Sequence, residues 1–324
     1  MTSFDGYVPD KPGCELKTWP KPPKSAEPGS PNTLTGATRA LRFGADTAGN
    51  SPGFDLDGLC TCPDRGSCTT KAGSGGRCDS PNGVDNTGAS ILALLFGSEK
   101  LLEGIEHGLH GLFVQIDEYN LQASDRKVSV SLFNVVGVNG KTDGTGSATF
   151  TGNDEFIMDT ESMAFEAQPG SKYVDINAYV TDGTLVAQFN SFPLRMVFDP
   201  ADGDPKVAVV QPFESLHLVG RVAHDGHGGL QLQGATLSGR IAIANMFLQA
   251  GPASICAKDS RFGNIKETVC NAVDLHTGGN ESAPCDAISF ALELDVLPAK
   301  RRVAPALGFR DPPCPPPEGG VHCD

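Results

Sequence analysis

Residues 173–189 have the sequence YVDINAYVTDGTLVAQF, and this stretch decides the fold class. Apolar side chains occupy every second position from Val174 to Val180, and a second alternating run follows from Leu185 to Phe189. A period of two is typical of β-strands with one buried face. The Asp182-Gly183 pair between the runs tolerates the positive φ angles of a tight hairpin turn. The stretch therefore predicts an antiparallel β-hairpin.

Similar alternating runs lie on both sides of this hairpin, at 128–133, 192–198, 216–222 and 288–294. Short antiparallel strands with frequent turns favour a sandwich over a parallel sheet. We therefore predict a mainly β protein, an antiparallel β-sandwich of the lectin-like or jelly-roll type. Apolar spacings of three to four residues predict two or three peripheral helices. These spacings lie within residues 91–105, 241–248 and 262–273.

Composition divides the chain into four parts. Residues 1–53 are rich in Pro, Lys, Ser and Gly and predict a linker or stalk. Residues 54–88 are rich in Cys and Asp and have few aliphatic side chains, so we expect cross-links or ions to hold them. Residues 89–310 form the predicted sandwich domain, and residues 311–324 a Pro-rich tail.

The 324-residue chain carries a formal net charge of −14. Nucleic-acid binding requires a basic surface, so this charge argues against a nucleic-acid partner. No apolar run approaches the roughly 20 residues of a transmembrane helix, and we expect no membrane-spanning segment.

Ten cysteines are the strongest compositional signal. Cysteines grouped in loops rich in Gly, Ser and Asp indicate disulfides formed in an oxidising compartment, although zinc binding is the alternative. Cys14 stands apart, and spacing does not decide which cysteines pair. The cysteines predicted to form disulfides are Cys60, Cys62, Cys68, Cys78, Cys256, Cys270, Cys285, Cys314 and Cys323. Since residues 1–14 lack the features of a signal peptide, we expect the export leader to be missing from this sequence.

Closely spaced acidic and amide side chains in the Cys/Asp-rich segment predict a structural calcium site. Calcium binds six to eight oxygen atoms, and a short loop of Asp and Asn residues with a Gly-permitted turn can supply them. The alternative is that these side chains cap turns and a helix start. The candidate ligands are Asp55, Asp57, Asp79, Asn82, Asp85 and Asn86.

Catalytic patterns are weak in this sequence. Two HxxH pairs occur, at 107–110 and 224–227, but neither has the glutamate of a metalloprotease motif. Acids at 154–161 could pair for glycoside hydrolysis, yet such pairs are common in an acidic chain. We therefore assign no catalytic residue.

A candidate ligand-binding face lies on the first strand of the predicted hairpin. Tyr173, Asp175, Asn177 and Tyr179 alternate with the apolar residues and would share one face. Aromatic and polar side chains together can bind a sugar, so a glycan is a candidate ligand. The alternative is the solvated side of an ordinary sheet.

A series of local motifs resembles a group of uncharacterised secreted lipoproteins found in myxobacteria. The resemblance covers about residues 54–295 and implies export and lipid anchoring at the cell envelope, without any established activity. The matching motifs are FDLDGLCTC (54–62), SC (67–68), CDSPNGVDN (78–86), IDEYNLQASDRKVSVSLF (116–133), AYVTDGTLVA (178–187), LQGATLSGR (232–240) and PCDAISF (284–290).

From these observations we expect a secreted or cell-envelope protein that binds a ligand without catalysing a reaction. The candidate ligands are a glycan and another envelope component. The alternatives are a glycan-acting hydrolase on a lectin-like sandwich and a purely structural envelope protein. The meeting of two carboxylates and an aromatic side chain in one cleft would favour the hydrolase.

Overall fold

A computed structural model describes the chain over residues 15–25, 29–43, 51–61, 68, 79–89, 91, 98–165, 168–198, 207–251, 255–278, 283–303, 314 and 323. Strands dominate these ranges. They are β1 Thr33–Arg42, β2 Leu112–Asp117, β3 Asp125–Val138, β4 Glu155–Met158, β5 Met163–Phe165, β6 Gln168–Ser171, β7 Tyr173–Thr181, β8 Thr184–Phe198, β9 Val207–His224, β10 Leu230–Ala242, β11 Ala287–Pro298 and β12 Lys300–Val303.

In the described ranges, three α-helices accompany the strands. They are α1 Ser98–Glu106, α2 Ile243–Leu248 and α3 Ser260–Cys270. Within the described ranges, none of the helices combines the length and the apolar character that crossing a membrane requires. The prediction of a mainly β fold with a few helices is confirmed.

Ten of the strands form one sheet, in the order β12-β4-β3-β2-β1-β11-β10-β9-β8-β7. β7 also pairs with β3, so the eight strands from β3 to β7 form a closed antiparallel sheet. Residues 125–132 of β3 pair with β7, whereas residues 135–138 pair with β4. β3 therefore belongs both to the closed sheet and to the short extension formed by β4 and β12.

This arrangement differs from the predicted sandwich in how the strands are divided. A sandwich places its strands in two separate sheets. Here one sheet curves until β7 pairs with β3. The strands are long, 15 residues in β8 and 18 in β9, and β9 has a positive φ of 49° at Ser215. Such irregularities bend and twist strands, which allows a sheet to close. A jelly-roll topology is not confirmed.

The main hydrophobic core fills the inside of the closed sheet. Alternate side chains from all eight strands point inward, and Phe213 and Phe290 lie with ring centroids 4.8 Å apart. Phe247 of α2 and Val269 of α3 belong to the same buried cluster. The outward face of the strands is left to polar side chains and to the segments that pack over it.

Residues 1–53 are not simply a linker, contrary to the prediction. β1 lies between β2 and β11 and pairs with both. Leu34, Ala37 and Leu41 are buried there. A Cβ atom at Gly36 would lie 2.7 Å from the carbonyl oxygen of Leu230, so this position requires glycine. The Gly- and Pro-rich composition of the region hid its short apolar pattern.

The β7–β8 hairpin follows its prediction. Tyr179 pairs with Val186, and the turn between the strands contains Asp182 at φ 48° and Gly183 at φ 78°. Both residues have the positive φ angles that a two-residue hairpin turn of this type requires.

Among the described residues, three disulfides connect distant parts of the chain. Cys68–Cys285 joins the Cys/Asp-rich segment to the region just before β11, across 217 residues. Cys256–Cys314 and Cys270–Cys323 hold two points of the C-terminal tail to the region of α3. Cys60 is also disulfide-bonded, whereas Cys14, Cys62 and Cys78 lie outside the described residues. The disulfide prediction is confirmed for the seven described cysteines.

The fold predicts that side chains inside the closed sheet contribute much more to the free energy of unfolding than side chains on its outward face. Phe290→Ala leaves a cavity inside the closed sheet and should lower the free energy of unfolding by about 3–5 kcal/mol. Ile176→Ala, at a residue that is 60% exposed, should change it by less than about 0.5 kcal/mol. Urea denaturation of the oxidised protein measures both values, and similar losses for the two variants would contradict this account of the core.

Candidate metal centre

The Cys/Asp-rich segment packs on the outward face of β10 and β11. The side-chain oxygen of Asn86 accepts a hydrogen bond from the backbone of Ala291 at 2.8 Å. The backbone of Thr87 donates to the hydroxyl of Ser289 at 2.9 Å, and the guanidinium of Arg240 donates to the Leu56 carbonyl. These polar contacts hold the segment together with the burial of its few apolar side chains, among them Phe54, Leu59 and Val84.

Three carboxylates of this segment meet at one point. Oxygen atoms from Asp55, Asp57 and Asp85 lie within 4.8 Å of one another. Asp55 is only 5% exposed and Asp85 only 2%. Among the described Asp, Glu, His and Cys side chains, these three form the group that lies close enough together to hold one metal ion.

A turn at residues 55–58 brings the first two carboxylates together. Asp55 accepts hydrogen bonds from the backbone of Asp57 at 3.2 Å and of Gly58 at 2.7 Å. Gly58 has a φ of 82°, which glycine adopts without strain. Asp85 accepts from the backbone of Leu56 at 2.7 Å, which joins residues 79–89 to this turn.

Two further carboxylates lie close enough to act on this cluster electrostatically. Asp79 accepts from the backbone of Thr61 at 2.6 Å, and Asp274 from the backbone of Ser289 at 2.7 Å. The negative charges of Asp79 and Asp274 both raise the pKa of Asp85. The site therefore collects more negative charge than the three meeting carboxylates alone.

Burial is the main cause of the raised pKa values at this site. It raises the pKa of Asp57 to about 7, and the charges of Asp79 and Asp55 add to this effect. Burial and the neighbouring acids raise the pKa of Asp85 well above its usual value. Several ionised carboxylates buried together are unfavourable without a compensating positive charge. A bound cation would supply that charge.

The geometry and the donor set fit a hard divalent cation. One oxygen of Asp57 is buried and accepts no hydrogen bond from any described residue. Two oxygens that each lie about 2.4 Å from one calcium ion are at most about 4.8 Å apart, and the oxygens of this cluster lie within that limit of one another. Calcium and magnesium prefer carboxylate and carbonyl oxygens, and no softer ligand is part of this group of described residues.

The remaining predicted ligands have other roles. Asn82 is exposed, and its backbone carbonyl accepts a hydrogen bond from the backbone N–H of Lys17 at 2.8 Å. The amide of Asn86 bridges Pro52 and Ala291, so it connects the segment to β11. The structure thus brings together Asp55, Asp57 and Asp85, places Asp79 nearby, and uses both asparagines for docking.

The predicted ligand-binding face on β7 is not assembled as one surface. Tyr173 packs against Phe192 on the interior side, whereas Tyr179 belongs to a small cluster on the outward side. An irregularity in the pairing of β7 with β3 separates the two tyrosines. Asp175 accepts from the backbone of Gln188 at 2.7 Å, and Asn177 is exposed.

The acids and histidines considered for catalysis have structural contacts. Asp154 accepts from the backbone of Phe150 at 2.6 Å, and Asp159 caps the short turn at 160–162. His110 is buried and bonds to the Leu101 carbonyl at 2.9 Å. None of these described side chains belongs to the acidic cluster.

Sequence reasoning missed Asp274 and Arg240. Both lie far from the Cys/Asp-rich segment in the sequence, and each contacts it only because β10 and β11 are adjacent. The one local signal is an acidic residue between apolar Val273 and Leu275, directly after a cysteine-bearing helix.

Comparison of the chain with protein-family models, curated proteins and solved structures found no match.

The raised pKa values predict how the metal-free protein responds to pH. Asp57 has a pKa of about 7 in the folded chain and a reference value of 3.8. Between these two pH values the folded state therefore binds more protons than the unfolded state. The free energy of unfolding contributed by this group therefore falls as the pH rises through that window. Urea denaturation in EDTA between pH 5 and pH 8 should show a steeper fall for the wild type than for Asp57→Asn. Equal slopes would contradict a buried, protonated Asp57.

Proposed function

We propose that this protein is an exported, non-enzymatic binding protein of the cell surface or the extracellular space. In this proposal a calcium ion at Asp55, Asp57 and Asp85 holds the Cys/Asp-rich segment on the outward face of the sheet. The ligand of the protein is a glycan or another envelope component. The observation that carries the proposal is the buried carboxylate cluster within a segment that is joined to the sheet by a disulfide.

The disulfides support export. Cys68–Cys285 joins parts of the chain separated by 217 residues, and two further bonds fix the C-terminal tail. Structural bonds of this kind persist in oxidising compartments and are rare in the reducing cytosol. The resemblance to myxobacterial secreted lipoproteins points in the same direction, and lipid anchoring at the envelope is part of this proposal.

Calcium is favoured over other cations by the site itself. All three meeting side chains offer carboxylate oxygens, and several ligands can come from the backbone of the same short loops and from water. Magnesium requires a stricter octahedral geometry and gives up its water molecules reluctantly. An extracellular location would also expose the site to the calcium concentrations that loop sites of this type bind.

A glycan-acting hydrolase is less well supported by the same cluster. Glycoside hydrolysis needs two carboxyl groups that face a sugar ring from opposite sides. Asp55 and Asp85 are nearly fully buried, and both accept hydrogen bonds from the backbone of their own segment. Their position suits an enclosed ion rather than an extended saccharide.

Calcium binding is tested directly by isothermal titration calorimetry on protein treated with EDTA. The wild type should bind calcium, and saturation should raise the melting temperature, because an ion that binds only the folded state stabilises it. Asp85→Asn should weaken binding by about tenfold or more. Asp143→Asn, which changes an exposed acid outside the site, is the matched control and should bind like the wild type. Absence of calcium binding by the wild type would remove the ion from the proposal.

The binding role is tested by a glycan array probed with the calcium-loaded protein. Retention of a defined glycan class without release of shortened products would support a binding protein. Cleavage of the retained glycan would establish the hydrolase instead. Failure to retain any glycan, together with normal calcium binding, would favour a structural envelope protein.

A further inference from the structure

The residues before β1 form a strap across the outward face of the sheet. Three hydrogen bonds between described residues, two at Lys17 and one at Pro20, bind this strap, residues 15–25, to other segments. The backbone of Lys17 donates to the Asn82 carbonyl at 2.8 Å, and its carbonyl accepts from Asp55 at 2.9 Å. Further along, the Tyr179 hydroxyl donates to the Pro20 carbonyl at 2.6 Å. Most side chains of the strap are exposed.

Trp19 is the main side-chain anchor of the strap. Its ring stacks on the imidazole of His217 with centroids 3.9 Å apart and an interplanar angle of 25°. It also meets the ring of Phe54 edge to face at 6.0 Å. Beneath it, Tyr179, Val186 and Val219 form a small apolar cluster with Phe54. Trp19 therefore covers both this apolar cluster and His217.

The surroundings of His217 favour its neutral form. Its Nδ1 atom is buried and has no hydrogen-bond partner among the described residues. Two other buried polar atoms, the Ser238 hydroxyl and Nε of Arg240, also have no such partner in the described chain. Ser238 lies directly opposite His217 in the β9–β10 pairing. A proton added to the ring would thus place a positive charge beneath Trp19 and near Arg240, which is costly even with the Ser215 backbone as an acceptor.

The charges around the ring add to this cost. Burial lowers the pKa of His217 to about 4. A hydrogen bond with the Ser215 backbone acts in the opposite direction, and the charge of Arg240 on β10 lowers the pKa further. Glu214 lies opposite Arg240 in the strand pairing, and Gln188 of β8, opposite His217, is neutral. On the covering segments the charged groups are the Lys17 ammonium, 5.4 Å from the Phe54 ring, and the carboxylates of the cluster at 55–57.

We propose that the strap is a pH-sensitive latch, with His217 as its sensor, that lifts in mild acid and uncovers the apolar cluster beneath Trp19. The buried Nδ1 atom of protonated His217 gains water when the covering ring moves away. β9 is fixed in the sheet between β8 and β10, whereas most side chains of the strap are exposed. The strap is therefore the element that moves. This inference does not depend on calcium binding.

Trp19 is the only tryptophan in the sequence, so its fluorescence reports the position of the strap. The experiment follows emission and acrylamide quenching of the full-length oxidised protein in EDTA from pH 7.5 to pH 4. Local opening should shift the emission to longer wavelength and raise the quenching constant about twofold, while far-UV circular dichroism stays constant. The midpoint should lie between the ordinary histidine pKa of about 6.5 and the value of about 4 in the closed state.

His217→Gln removes the titrating group and should abolish this transition. His227→Gln, at an exposed histidine in the turn between β9 and β10, is the matched control and should retain it. A transition that persists at the same midpoint in His217→Gln would overturn the proposal, as would the absence of any transition in the wild type.

A measurement on the wild type alone guards against misfolding of the variant. One histidine resonance in the proton NMR spectrum should titrate with the midpoint of the fluorescence change. If every histidine resonance titrates at a clearly different pH, the latch is driven by another group and the proposal fails.

Discussion

The pairing of β7 with β3 is the constraint on which the rest of the structure depends. It joins the two ends of an eight-stranded antiparallel sheet, so the inward side chains are enclosed without a second sheet to cover them. A strand buried on one face presents every other side chain outward. The closed sheet therefore leaves an outward surface on which other parts of the chain can pack. Both the metal centre and the strap occupy that surface.

The segments on the outward face are attached by polar and covalent contacts rather than by a core of their own. Arg240 and Ser289 point outward from β10 and β11 and bond to residues 54–88, and Cys68–Cys285 fixes the same segment. A short stretch with few aliphatic side chains cannot offset its loss of conformational entropy by burial alone. Cross-links reduce that loss by restricting the unfolded chain. This explains why cysteines and polar side chains are concentrated where apolar residues are scarce.

The same packing creates an electrostatic cost that gives the site its chemical character. Asp55 and Asp85 are buried and Asp57 is half-buried where two loops dock, and Asp274 adds its charge from the neighbouring region before β11. Proton binding and cation binding are the two ways to reduce this cost. The proposed calcium site and the raised pKa values are thus two consequences of one arrangement. At the strap, the burial of His217 beside Arg240 likewise favours the uncharged form, which for a histidine means a lowered pKa.

The sequence by itself determined the class of fold and the local elements. The alternation at 173–189 with Asp182-Gly183 specified a hairpin, because strand period and turn chemistry are properties of neighbouring residues. The clustering of acids at 55–57 and 85 likewise indicated oxygen ligands. Only the tertiary structure decided that the sheet closes on itself, that β1 belongs to it, and that Asp274 and Arg240 contact the Cys/Asp-rich segment. Contacts between residues far apart in the chain decide the strand order, the disulfide partners and the irregular pairing that separates Tyr173 from Tyr179. Local sequence patterns carry no information about such contacts.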